Sequence, residues 1–406
     1  MKILFVANDI PYPPSDGIRI VLYNIMRLVA RDHQTALMIL SEKPEKIKKE
    51  DIEHLQGFCE DVTIKPLKKR SMAGKLLAAV FHSKLYYIER FRDEDFRMAI
   101  RNKIEQWHPD VVHFDMINTS QYGISIDPSI PKVVSINDSY ALTLENELKH
   151  PMRRKVWLQL YKTIQLIFTR KYESEVYPKY DYCHVVSAVD SAYLRKLNPS
   201  INTVVIPNGV DSDYLKPLQK EKDKSARKNV IFVSRGGGMI HLESFLLESW
   251  PLIISKVKDA TITVVGNAPS PFLQKIASET GGVIFKGFVP ELKDVYNTGL
   301  ISAVPIRKNH GILNKALEAM SMGLAVAGFD ESFAGIPQAR HNQNCICCQN
   351  YEELALEIIK LLESPEKAIS LGLAARDLIT THYRWSSRRE SFEHMYEDAV
   401  RIHKDR

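Results

Sequence analysis

The densest run of chemically capable residues is Val304-Pro305-Ile306-Arg307-Lys308-Asn309-His310-Gly311-Ile312-Leu313-Asn314-Lys315-Ala316-Leu317-Glu318-Ala319-Met320-Ser321-Met322-Gly323. A glycine at a helix start leaves backbone amides at the positive end of the helix dipole, which suits a diphosphate. Arg307, Lys308 and Lys315 add cationic donors around Gly311. Glu318, two helical turns past Gly311, is placed to reach a ribose diol while the amides hold the phosphates. Lys315 and Glu318 are three apart and equally fit a surface ion pair worth roughly a few tenths of a kcal/mol. Two other loops carry polar or glycine-rich runs, Ser234-Arg235-Gly236-Gly237-Gly238 and Asn8-Asp9-Ile10-Pro11-Tyr12-Pro13-Pro14-Ser15-Asp16-Gly17. The second holds one glycine and so is not the Gly-x-Gly-x-x-Gly of a nicotinamide or flavin site. Asp16 and Gly17 fit either a tight turn or contact with an acceptor or phosphate.

The elements that must position these loops alternate between short β-branched runs and longer helical stretches, the pattern of βαβ units and parallel sheets. Strands are expected at 2–7, 35–40, 110–114, 132–136, 182–187 and 203–206, then at 229–234, 261–265, 283–286, 301–306 and 325–328. The three loops therefore follow strands, and doubly wound sheets bind ligands at the carboxyl ends of their strands. Leu218 to Lys228 is polar and charge-rich without apolar periodicity and reads as a connection. The expected division is 1–211, 212–384, and 385–406, the last a helix packing back on the first domain.

At 406 residues the chain exceeds what one core usually supports, so two domains of about 200 residues with a cleft between them are expected. It is 45% hydrophobic and 26% charged, with no apolar run of about 18 residues, which excludes an integral membrane protein. The start, Met1-Lys2-Ile3-Leu4-Phe5-Val6-Ala7-Asn8, reads as a buried strand and not a signal peptide, so a cytoplasmic protein is expected. Five scattered cysteines suit reduced thiols. Cys345-Ile346-Cys347-Cys348 lacks a second pair at zinc spacing and reads as the end of a buried strand; no metal is expected. A net charge of +6 is too small on this length to suggest nucleic acid. Leu67 to Phe91 and Val156 to Lys171, with Arg153-Arg154-Lys155 before the latter, mix cations with Leu, Ile, Phe, Trp and Tyr. Those stretches suit an anionic or amphiphilic acceptor, or the inner face of a membrane.

The stretch from Gly311 to Gly323 resembles the signature of the retaining glycosyltransferases called family four, whose fold is GT-B. That motif is a glutamate, seven residues, then a second glutamate followed by Ala-Met and Gly. Glu318-Ala319-Met320-Ser321-Met322-Gly323 matches its second half, and His310 stands where the first glutamate belongs. A subgroup writing Gly-Ile-x-Asn-Lys-x-Leu-Glu-Ala-Met matches Gly311-Ile312-Leu313-Asn314-Lys315-Ala316-Leu317-Glu318. Val205-Ile206-Pro207-Asn208-Gly209-Val210-Asp211 is similar to the family's interdomain turn, and Gly287-Phe288-Val289 to its donor-base loop. Arg235 occupies the place of the phosphate-pairing arginine; Ile240 and His241 stand where a lysine is usual. The resemblance implies two Rossmann-like domains, 1–211 binding the acceptor and 212–384 the donor, and a nucleotide-diphosphate sugar as co-substrate. Its implied donor contacts are Gly17, Arg235, Gly287, Phe288, Val289, Arg307, His310, Gly311, Ile312, Asn314, Lys315 and Glu318.

In the first half, Asp110-Val111-Val112-His113-Phe114-Asp115 looks like the family's Asp-x-x-His-x-His, with Asp115 replacing the second histidine. Ile136-Asn137-Asp138-Ser139 ends the next strand. Asp115 and Asp138 are either groups able to take a proton from an acceptor hydroxyl or turn residues bonded to their own backbone. Asp16, His113, Asp115 and Asp138 are the expected acceptor contacts, and Asp115, Asp138, Arg235 and Lys315 the expected catalytic groups. The family is thought to react on the front face with retention, the leaving phosphate helping to deprotonate the acceptor. No metal is needed if cations and a helix terminus neutralise the leaving group. A sugar-nucleotide epimerase of this fold and a non-catalytic sugar-binding scaffold are the rival readings.

Overall fold

The computed structural model describes residues 1–68, 86–149, 156–218, 227–234, 239–308 and 310–404. Arg235 with its three following glycines, Asn309, Arg153-Arg154-Lys155 and most of Leu67 to Phe91 lie outside the described residues. The chain divides into two compact units, residues 1–207 with 388–406, and 208–387. Both are wholly parallel doubly wound sheets, and the fold is α/β throughout.

Unit 1 holds seven strands: β1 (Lys2–Ala7), β2 (Gln34–Ser41), β3 (Asp61–Pro66), β4 (Val111–Asp115), β5 (Lys132–Asn137), β6 (Tyr182–Val185) and β7 (Thr203–Val205), in order β3-β2-β1-β4-β5-β6-β7. The central strands are buried on both faces and read as continuous apolar runs. The edge strand β3 was not among the expected ones. Its Asp61-Val-Thr-Ile-Lys-Pro sequence is half-exposed and carries no apolar run. The helices that bear on function here are α1 (Gly17–Val29), α2 (Tyr140–Lys149) and α3 (Val156–Val176).

Unit 2 holds β8 (Asn229–Ser234), β9 (Thr261–Gly266), β10 (Val283–Gly287), β11 (Ile301–Val304), β12 (Ala325–Phe329) and β13 (Ile346–Cys348), in order β10-β9-β8-β11-β12-β13. The cysteine cluster falls in β13, and all five thiols are free. α4 (Asn314–Ser321) follows β11 and packs its Ala316-Leu317 and Ala319-Met320 inward. The final helix, α5 (Arg389–Lys404), belongs to unit 1 and packs on α1, β4 and β5. No helix among the described residues is long and apolar enough to cross a membrane.

Candidate active site

In a doubly wound sheet the ligand crevice forms where strand order reverses. In unit 2 that point lies between β8 and β11. Gly311, in the loop after β11, adopts φ +63°, and a Cβ on Gly335 would lie 1.8 Å from the Gly311 carbonyl oxygen. Torsion demands glycine at the first position and close approach at the second. The left-handed turn delays the helix, which begins at Asn314 and not at Gly311. The N-cap residue, Leu313, makes no side-chain hydrogen bond to that N-terminus, so the helix start keeps the partial positive charge that draws an anion.

From the first turn of α4, the Lys315 ammonium donates to the Val233 carbonyl at 2.9 Å. The lysine thus lies across the ends of β11 and β8. Ser234, closing β8, is fully buried, and its hydroxyl has no hydrogen-bond partner among the described residues. One turn beyond Lys315, Glu318 is buried and accepts from the Tyr296 hydroxyl at 3.3 Å. Asn314 accepts at Oδ1 from Asn208 Nδ2 at 2.9 Å, tying the helix start to the Pro207-Asn208-Gly209 turn. His310 and Ile312 are buried in the same loop. His241 faces this cluster: burial first, then repulsion from Lys315 and Arg307, pushes its imidazole down to about 4. It is therefore neutral at physiological pH.

Arg307 is already engaged. It pairs with Glu331 at 3.0 Å, donates to the Gln349 carbonyl at 2.9 Å and lies 4.2 Å from the Phe329 ring centroid. Gly287 ends β10 with φ +65°, Phe288 is 75% exposed and Val289 half-buried. β10 stands three strand positions from β11, roughly 14 Å at the spacing of parallel strands.

In unit 1 the reversal lies between β1 and β4. Asp16 caps α1, accepting from Ile18 N and Arg19 N at 3.1 Å each. Gly17 opens α1 without a left-handed backbone, so torsion does not require glycine there. Asp115, closing β4, is 1% exposed, and its Oδ1 has no partner among the described residues. Burial first, then repulsion from Asp16, pushes its carboxyl up to about 8, so the acid is largely protonated at neutral pH. Met116 and Asn137 both adopt left-handed backbones, at φ +67° and +58°. For residues with a side chain each costs about 1–3 kcal/mol, and such strain gathers at functional sites. The Asn137 amide donates to Met116 Sδ at 3.3 Å, while its buried Oδ1 has no partner among the described residues. Asp138 is half-buried beside it. His113 does not join this group. It is fully enclosed, its Nδ1 lies 2.5 Å from the Tyr396 hydroxyl, and Phe5 packs on its ring. Burial drives its imidazole down to about 3, and it anchors α5 from inside the core.

The family model for Glycosyltransferase Family 4 matches residues 16–214, and that for Glycosyl transferases group 1 matches residues 227–364. Both regions are glycosyltransferase domains of the GT-B fold. A GDP-mannose-dependent alpha-(1-6)-phosphatidylinositol monomannoside mannosyltransferase of Mycobacterium tuberculosis is 25% identical over 225 residues, half of this chain. That match spans 58% of the relative's length. Sucrose-phosphate synthase from Thermosynechococcus elongatus superposes with a TM-score of 0.72 at 14% identity, over 99% of both chains. TarM gives 0.73 at 13% identity, over 97% of this chain and 98% of that one. HepE of Anabaena, in complex with UDP and glucose, gives 0.64 at 14% identity, over 98% and 99%. At such identities the likeness is one of fold.

Within the GT-B frame, the structure brings Lys315, Asn314, Glu318, His310 and Gly311 together at one reversal point and Asp16 and Asp115 at the other. Sequence reasoning missed Tyr296, Gly335 and Met116, and named Ser234 and Asn137 only as parts of their loops. Tyr296 and Gly335 are distant in the chain from what they touch, and a left-handed Met leaves no mark in the sequence. His241 stood out only as the residue near a missing lysine.

Proposed function

We propose that this chain transfers a glycosyl group from a nucleoside diphosphate sugar, bound at the strand ends of unit 2, to a hydroxyl of a sugar-bearing or amphiphilic acceptor bound by unit 1. The transfer is a retaining one and requires no metal. The observation that carries this reading is the Lys315 ammonium held across the ends of β11 and β8, beside the uncapped start of α4. A cation and a helix dipole at one reversal point suit a diphosphate. The separation of the Phe288 loop from α4 suits a ligand with its base at one end and its phosphates at the other. The printed descriptions of the mycobacterial relative, GDP-mannose-dependent, and of the HepE complex, with UDP and glucose, support a donor of this class.

In this scheme the acceptor oxygen attacks the anomeric carbon as the bond to the β-phosphate oxygen breaks, and the acceptor proton passes to the leaving phosphate. Negative charge grows on that phosphate, so Lys315, with Arg235, stabilises the transition state more than the ground state. Glu318, fixed by Tyr296, takes the ribose diol. Asp115, kept protonated by its burial, donates a hydrogen bond to the acceptor in place of acting as a strong base.

A thermal-shift panel of uridine-, guanosine- and thymidine-diphosphate sugars tests donor binding, because a ligand of the native state raises Tm by mass action. One of them is expected to raise Tm, and nucleoside diphosphate is expected to be released only when an acceptor is present. Release without acceptor, or isomerised sugar nucleotide as the product, would overturn the transferase reading. Turnover is expected to survive EDTA; loss in EDTA with recovery in magnesium or manganese would overturn metal independence alone.

A further inference from the structure

α3 is amphipathic in the inverted sense. Its inward face carries Gln165, Thr169 and Glu173, all buried, with Leu166 as an apolar contact against Ala141 and Leu144 of α2. Glu173 is used entirely within the fold, accepting from Ser139 Oγ at 2.9 Å and from the Tyr140 amide at 2.8 Å. The outward face carries Trp157, Leu160, Tyr161, Ile164 and Ile167, of which Trp157, Leu160 and Ile167 are more than 60% exposed. Their spacing of three and four places them in one stripe along the helix. Ion pairs from Lys162 to Glu147 and from Arg170 to Glu145 fasten α3 to α2 on its flanks, so the stripe is held outward by the packing. Isolated exposed apolar residues need no explanation; a contiguous stripe on a soluble surface does.

Charge decides what covers it. From His150 to Tyr172 the sequence holds six Lys or Arg and no Asp or Glu. Lys171 continues the stripe one turn past Ile167, and Arg153-Arg154-Lys155 directly precede Val156 in the chain. A twofold contact between two copies would lay this face on itself and bring like charges together. Lys162 and Arg170 are held by Glu147 and Glu145 of α2, whereas Lys171 is 69% exposed and Arg153-Arg154-Lys155 carry the excess just before α3 in the chain, a balance that suits an anionic surface. Trp and Tyr among Leu and Ile, bordered by Lys and Arg, is the composition of a helix lying in a lipid headgroup layer.

We infer that the outward face of α3 seats on the surface of an anionic phospholipid bilayer, with Trp157, Leu160, Ile164 and Ile167 in the headgroup boundary and the exposed Lys171 toward the lipid phosphates. This rests on the proposed transferase reading only for its consequence, that the acceptor is taken from a lipid surface; the seating itself is a property of α3.

The full-length protein is sedimented with phosphatidylcholine vesicles with and without phosphatidylglycerol. Binding is expected with the anionic vesicles only, falling as salt screens the cations. Leu160→Glu with Ile164→Glu is expected to weaken it at least about tenfold. Both side chains are exposed, so Tm and the donor-induced thermal shift in vesicle-free buffer should stay as in the wild type. Trp157 emission should shift to the blue on binding, a change absent from Trp157→Phe. The inference is overturned if the wild type ignores anionic vesicles at low salt, or if the double variant binds as well as the wild type. It is also overturned if the wild type forms a dimer that the double variant dissolves while vesicles bind neither. Vesicle binding is read with neither donor nor acceptor present, so failure here leaves the transferase reading standing, and failure of that reading leaves this one.

Discussion

The two reversal points sit at equivalent places in two sheets of the same winding, yet they are built from opposite materials. In unit 2 the site is cationic and polar, a left-handed glycine turn, an uncapped helix and a lysine laid over the neighbouring strand end. In unit 1 it is a buried, protonated carboxyl beside two strained backbone residues. The winding fixes where a ligand goes, and the side chains fix which kind. A diphosphate carries permanent charge and demands cations. A neutral acceptor hydroxyl demands only hydrogen-bond geometry, which strain and burial can hold in place. The chain layout differs in the same way: the proposed donor side runs continuously from Val304 to Gly323, while the proposed acceptor side gathers Asp16, Asp115, Met116 and Asn137 from three separate segments.

The sharpest test of this contrast is Lys315→Ala. Turnover is expected to drop roughly 100-fold, about 3 kcal/mol, the order seen when a single preorganised donor to a developing charge is removed. Donor affinity should change less. Intact turnover in a folded variant would mean that the cationic site is no catalytic device and that the lysine serves packing against Val233.

Asp115→Asn should cost about tenfold in turnover, the order of one neutral hydrogen bond, and should change the pH dependence. With its carboxyl at about 8, the wild type keeps the protonated form below that value and loses activity as pH rises through it. Asparagine cannot ionise, so the alkaline limb should vanish. Stability gives an independent readout. A carboxyl whose native value exceeds its unfolded value binds a proton more tightly when folded. Its charging therefore destabilises the fold as pH rises from the ordinary aspartate range to about 8. Glu173, raised to about 7 by burial, adds a similar slope. The difference in Tm between wild type and Asp115→Asn, followed over that interval, isolates the Asp115 share. A wild-type alkaline limb that persists in the variant would assign the titration elsewhere.

Glu318→Gln is expected to weaken donor binding about fivefold, roughly 1 kcal/mol, with turnover spared, because a ribose contact is made equally in ground and transition states. An equal fall in turnover at saturating donor would place Glu318 nearer the reacting atoms.

The smallest effect is expected at Arg307. Its pairing with Glu331 and its position over Phe329 make it a holder of the β11 and β12 ends. Arg307→Ala should lower stability by about 1 kcal/mol and leave turnover within roughly threefold. A loss near that of Lys315→Ala would return Arg307 to the phosphates.

By itself the sequence determined the winding and singled out the loop proposed to hold the donor. Alternating apolar strands and helices carry their own period, and Gly311, Asn314, Lys315 and Glu318 lie within eight consecutive residues of the chain. A motif of that reach is legible before folding. Tertiary structure alone decided the rest. The edge strand β3 has no apolar run, so only pairing with β2 makes it a strand. His113 looks like a cleft residue in its motif, but Tyr396, 283 positions later, closes over it. Asp115 is an ordinary aspartate until burial raises its carboxyl. Whether the apolar residues of α3 face the core or water depended on the burial of Gln165, Thr169 and Glu173 on its other side. For His113, Asp115 and α3 the deciding term is the desolvation of a polar or apolar group. That quantity has no value until distant segments have met and excluded the water around it.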